Sequence, residues 1–185
     1  MGLAGQPSSA KLLGLYYPTN ALAEILNKGF TAPSPFCKAI VNVHYSSVSD
    51  AKKGFQTLVK NAKKQGDPRF DPNDPATRRI FGHYEEAARK LDPTTSVKAN
   101  GMSVLGNILD KETVFAVSAI LNITWSDGRT QADMPFAVSL AWMRFGKQQA
   151  EIGVLYPFRD ATSMTSANQK LLEWIGEIEK RNPPE

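Results

Sequence analysis

The sequence predicts a single α+β domain in which an antiparallel β-meander is packed by amphipathic helices. Three observations lead there. Residues 102–158 hold four apolar stretches of period two. Segments of helical period stand before and after that block, the pattern of an α+β domain. The links between the stretches are short enough to be hairpin turns, so neighbours in sequence become antiparallel neighbours in the sheet.

In chain order, residues 11–17 are apolar and aromatic and stop at Pro18, which predicts a short strand. Asn20 is the cap of a short helix through Leu26, stopped by Asn27-Lys28-Gly29. From Cys37 the residues alternate, with Cys37, Ala39, Val41, Val43 and Tyr45 on one face and Lys38, Ile40, Asn42 and His44 on the other, as in a half-buried strand. Ser47, Ser49 and Asp50 are candidate caps for a helix over 50–64, whose Phe55, Leu58, Val59 and Ala62 recur at helical spacing. Lys52, Lys53, Lys60, Lys63 and Lys64 read as its solvated face. Residues 66–75 form a loop with three Asp-Pro pairs. Asp74 and Pro75 then start a helix to Leu91 with the stripe Ile80, Tyr84, Ala87 and Leu91.

The period changes at 102. The stretches 102–109, 113–125, 134–145 and 150–158 are β-branched and aromatic. Phe115, Val117, Ala119, Leu121, Ile123 and Trp125 alternate with smaller or polar neighbours, as do Phe136, Val138, Leu140 and Trp142, and Ile152, Val154, Tyr156 and Phe158. Turns fall at Asp110-Lys111-Glu112, Ser126-Asp127-Gly128 and Gly146-Lys147-Gln148. Leu171, Trp174, Ile175 and Ile178 mark a closing helix over 166–180, ended by Asn182-Pro183-Pro184. The 50–64 and 166–180 helices are expected to cover one apolar sheet face. The opposite face, with Ser118, Asn122, Ser139 and Ala141, is expected to stay open and polar.

Composition bounds what such a domain does. With 185 residues, the chain is one domain long: a flexible start over 1–10 and a domain over 11–181. Hydrophobic residues make up 42% and charged residues 22%, with 13 Gly and 12 Pro, which excludes collagen-like, disordered and coiled-coil classes. The net charge of +4 is too small and too scattered for a nucleic-acid surface. One cysteine, Cys37, excludes an intramolecular disulfide and a cysteine zinc cluster. No window reaches the ~18 apolar residues of a membrane-spanning helix. Residues 1–10 are small and polar, without the basic and apolar regions of a signal peptide. They read as a mature start from which a secretion signal has been removed, placing the protein in the periplasm or outside the cell. The alternative is the frayed start of a cytoplasmic protein.

The order strand, helix, long antiparallel meander and terminal amphipathic helix, with Gly101 and Gly106 leading into the meander, resembles the PsbP-like fold. That fold is shared by photosystem extrinsic proteins, bacterial DcrB-type envelope proteins and related secretion adaptors. The resemblance spans residues 11–181, with the 75–91 helix as an insertion. It implies a non-enzymatic interaction domain, often exported, and carries over no site residues. The SnoaL-like cone is the alternative, in which the concave sheet face is a ligand pocket.

No chemical motif competes with that expectation. Cys37 and His44 are about 23 Å apart at ~3.3 Å per residue along one strand, beyond the reach of a nucleophilic pair. His83 and Glu86 stand at i, i+3 on the 75–91 helix, and a catalytic zinc would need a further ligand from afar. Asp67, Asp71 and Asp74 lack the alternating ligands and central glycine of a calcium loop and read as turn and cap residues. No phosphate-loop spacing and no Gly-x-Ser-x-Gly elbow occurs. Trp125, Trp142 and Trp174 fall within strand, strand and helix patterns and read as packing residues. No catalytic residue, metal or cofactor is expected. The sequence points to an exported interaction module of the bacterial envelope that binds another protein through a sheet face or edge.

Overall fold

A computed structural model describes residues 11–16, 36–64, 94, 96–126 and 128–182. The start at 1–10, the 20–26 and 75–91 helices and the 66–75 loop expected from the sequence lie outside the described residues. Two strands, β1 (Lys11–Tyr16) and β2 (Phe36–His44), precede helix α1 (Val48–Lys64). Strands β3 (Ser96–Asp110), β4 (Val114–Ser126), β5 (Gln131–Phe145) and β6 (Gln148–Pro157) follow, and α2 (Ala161–Arg181) closes the chain. The strands form one six-stranded sheet in the order β1-β2-β6-β5-β4-β3, antiparallel at each pairing. The expected meander is present as β3 to β6, and the β1–β2 ribbon extends it by pairing against β6.

Turn chemistry sets the central register. Phe145 pairs with Gln148, leaving Gly146 and Lys147 as a two-residue loop. Gly146 has φ of +50° while no described non-glycine residue has positive φ, the requirement of a type II′ turn. Strands β4 and β5 then pair from Val114↔Met143 to Ser126↔Gln131 without a register shift.

The expectation of one covered and one open face is corrected by the burial of β4, where Val114 through Ala119 are all buried. Successive strand residues point to opposite faces, so both faces are covered. Phe55 of α1 packs with Phe115 and Val117 on one face. Ala167, Leu171 and Ile175 of α2 pack with Val114, Ala116, Ala137, Ala141, Met143, Ile152 and Val154 on the other. The two helices therefore lie on opposite sides of the sheet, and α2 covers the face expected to be open. Ser139 and Ala141 are 0% exposed and Ser118 8%, whereas Asn122 is exposed. Small side chains on these strands let the helix approach closely. Asn168 of α2 meets the polar ones, its Oδ1 accepting from Ser118 Oγ at 2.8 Å and Ser139 Oγ at 2.7 Å.

Some boundaries also move. Strand β3 starts at 96 rather than 102 and carries register shifts at Ala99/Gly101, Val104/Gly106 and Asn107/Leu109. The shift at Ala99/Gly101 interrupts alternation just ahead of residue 102, while the other two fall inside the stretch read as strand. A shift between Val41 and Val43 likewise breaks the alternation expected along 37–45. Strand β5 begins at 131 rather than 134, its first three residues, Gln131, Ala132 and Asp133, being exposed and without an apolar alternation. Helix α2 begins at 161 because the Asp160 carboxylate accepts from the backbone N–H of Thr162 at 2.9 Å and of Ser163 at 3.1 Å.

Candidate functional site

Helix α1 starts at a reciprocal cap. The Asp50 N–H donates to Ser47 Oγ at 3.1 Å, and the Ser47 hydroxyl donates to the Asp50 carboxylate at 2.7 Å, joined by Ser46 Oγ at 2.8 Å. The Ser47 and then the Ser46 hydroxyl hold the Asp50 carboxyl below its ordinary value of 3.8. Of the three expected caps, Ser47 and Asp50 do the capping. This start directs Ala51 and Phe55, 0% and 2% exposed, onto the sheet and turns Lys52, Lys53, Lys60 and Lys63 outward. The helix also comes unusually near the chain that leads into it. A Cβ at Gly54 would stand 2.3 Å from the Tyr45 hydroxyl oxygen, which donates to Gln149 Oε1 at 2.9 Å.

Beside this helix, where it meets the β3–β4 turn, lies an open groove of about 420 Å³ lined by Phe55, Gln56, Val59, Lys60, Lys63, Lys111 and Glu112. Phe55 and Val59 give it an apolar floor. Its rim is charged and organised: Lys63 Nζ lies 2.5 Å from Asp110, Lys111 Nζ 3.0 Å from Glu179 of α2, and Lys52 Nζ 2.7 Å from Glu112. Lys63 Nζ also sits 5.8 Å from the centre of the Phe115 ring. The Lys52 ammonium holds the Glu112 carboxyl below its ordinary value of 4.5, so Glu112 is a carboxylate at neutral pH. Lys60 has no ion partner among the described residues.

A second polar group lies under α1. Gln149 and Glu151 are 3% and 6% exposed, and Arg144 pairs with Gln149 across β5 and β6. Arg144 Nε and Gln149 Nε2 are buried donors without a hydrogen-bond partner among the described residues, the environment an ordered water completes.

The residues singled out from sequence do not converge. Cys37 stands opposite Val154 and His44 opposite Gln148, far apart along β2. His83, Glu86, Asp67, Asp71 and Asp74 lie outside the described residues. Trp142 stacks on Phe115 with ring centres 6.1 Å apart, and Trp174 meets Tyr16 edge-on at 5.1 Å. Those two tryptophans pack the two faces of the sheet. Trp125 is partly buried near the end of β4, opposite Ala132. Among the described residues, no group of three or more His, Cys, Asp or Glu is placed to hold a metal ion, and no helix is long and apolar enough to cross a membrane. The carboxyl groups whose acidity is shifted have structural duties. Asp50 and Asp160 cap helices, and Glu112, Glu173 and Glu177 accept from Lys52, Lys170 and Lys180.

The groove was missed from sequence because its walls come from segments some fifty residues apart. The available signal was the charged triplet Asp110-Lys111-Glu112 together with the lysines of α1. In comparisons with known proteins, no family model, curated protein or solved structure matches the chain.

Proposed function

We propose that this protein is a non-enzymatic interaction module of the bacterial cell envelope, exported and acting by binding another protein. The observation that carries the reading is the α1 groove, an open trough with half-buried Val59 above buried Phe55 at its floor and lysines at its rim. An apolar centre with a polar rim is the anatomy of a protein-binding patch. The sheet edges favour such a patch over strand addition. Edge strand β3 carries three register shifts and edge strand β1 has six residues with one shift, both features that discourage edge pairing. The PsbP-like order of elements supports export and a binding role by resemblance.

Affinity purification from the native source, combined with cell fractionation, tests this. The expected result is a stoichiometric protein partner recovered with the protein from the envelope fraction. Recovery as a cytosolic monomer without such a partner, together with turnover of a small molecule, overturns it.

A further inference from the structure

We propose that the α1 groove takes an acidic segment of the partner, seating one apolar side chain on Phe55 and Val59 and one carboxylate on Lys60. This rests on the reading of the protein as a protein-binding module and adds the chemistry of what it binds. The groove is lined by three cations, Lys60, Lys63 and Lys111, against one anion, Glu112. Two of the cations already have carboxylate partners, Lys63 with Asp110 and Lys111 with Glu179. Lys60 has none among the described residues, so a carboxylate arriving there gains an ion pair without breaking one of these. Glu112, ionised and held by Lys52, repels a second carboxylate at its own end of the groove and orients the guest. The groove is an open trough, whereas sites for free small molecules bury some 70–90% of the ligand. A side chain projecting from a larger body, whose main chain stays outside, fits that shape. Half-buried Val59 supplies the apolar contact, with buried Phe55 closing the floor beneath it.

The test uses the folded full chain and the peptide acetyl-Gly-Glu-Glu-Trp-Glu-Glu-Gly-amide, followed by fluorescence anisotropy and by amide NMR shifts. The expected result is binding that weakens with added salt, with shifts confined to residues 55–63 and 111–112. Lys60→Glu should weaken binding roughly tenfold, which is about 1.4 kcal/mol. Lys180→Glu, on the other helix, should leave it unchanged. Lys60 is exposed, so that variant keeps the fold, which circular dichroism verifies. Equal binding of the peptide with Gly in place of Trp, shifts spread over other lysines, or no binding each overturn the proposal. A native partner captured equally well by the Lys60→Glu variant also overturns it while leaving the interaction-module reading intact. Failure to find any stoichiometric partner instead removes the reading on which it rests.

Discussion

Asn168 shows how one side chain lets a helix lie on a partly polar sheet face. Its carbonyl oxygen accepts from two hydroxyls, Ser118 and Ser139, that α2 removes from water. Asn168→Ala leaves both without an acceptor and should destabilise the protein by about 2–3 kcal/mol, since an unsatisfied buried polar group costs ~1–3 kcal/mol. The triple variant Ser118→Ala, Ser139→Ala, Asn168→Ala removes both sides of the bonds and should lose less than Asn168→Ala alone. Urea denaturation of the two variants checks this, and a larger loss in the triple variant contradicts the account. Asp160 gives the matching acid-side expectation. The Ser163 backbone N–H leads the groups that lower its carboxyl from 3.8. Its contribution to stability is therefore fully present above that value and disappears as pH falls through the lower folded value. Asp160→Ala should lower the melting temperature at neutral pH and converge with the parent chain in strong acid, as read by melts across the pH range.

The two helices answer to different faces of one strand. Leu171 is 0% exposed among Ala116, Ala141 and their neighbours, and Phe55 is 2% exposed against Phe115 and Val117. Leu171→Ala should cost ~2–5 kcal/mol and Phe55→Ala ~3–5 kcal/mol, the range for emptied core positions. Hydrogen exchange separates them. Phe55→Ala should speed exchange in 48–64 while β5 and β6 keep their protection, and uniform acceleration through the sheet contradicts independent docking. These elements were legible in sequence because their stripes and alternations are uninterrupted: Phe55 to Ala62, Phe115 to Trp125, Phe136 to Trp142, Leu171 to Ile178. What was hidden follows from local breaks in period, the register shift near Gly101 and the polar first turn after Asp160. The side on which each helix docks was also hidden. Ser118, Ser139 and Ala141 read as a solvent face by polarity, yet their small size makes them the better seat for a helix. The groove had no contiguous signature at all.

Across the whole molecule, the β3–β4 turn ties both helices to one edge of the sheet. Asp110 reaches Lys63, Glu112 reaches Lys52, and Lys111 reaches Glu179 on the other side. The paired side chains are a third to two thirds exposed, so solvent and salt weaken each attraction. Raising sodium chloride from dilute buffer to molar strength should leave the melting temperature nearly unchanged while weakening peptide binding at Lys60. Parallel salt series of melts and anisotropy check both halves, and a melting temperature that falls steeply with salt shows the pairs to be structural supports.

The place of β6 has a consequence for how the chain is made. The last of the described strands to leave the ribosome is a central one, flanked by β2 and β5. The Tyr45–Gln149 bond across this seam joins residues 104 positions apart. At ~5–20 residues per second, that interval lasts roughly 5–20 s of synthesis. Throughout it the N-terminal ribbon lacks β6, the strand against which β2 pairs, and α2 has not yet been made. Nascent chains stalled before Gln148 should therefore hold β1 and β2 open to protease or to a holding chaperone, and release past Arg181 should close the seam in one late, cooperative step.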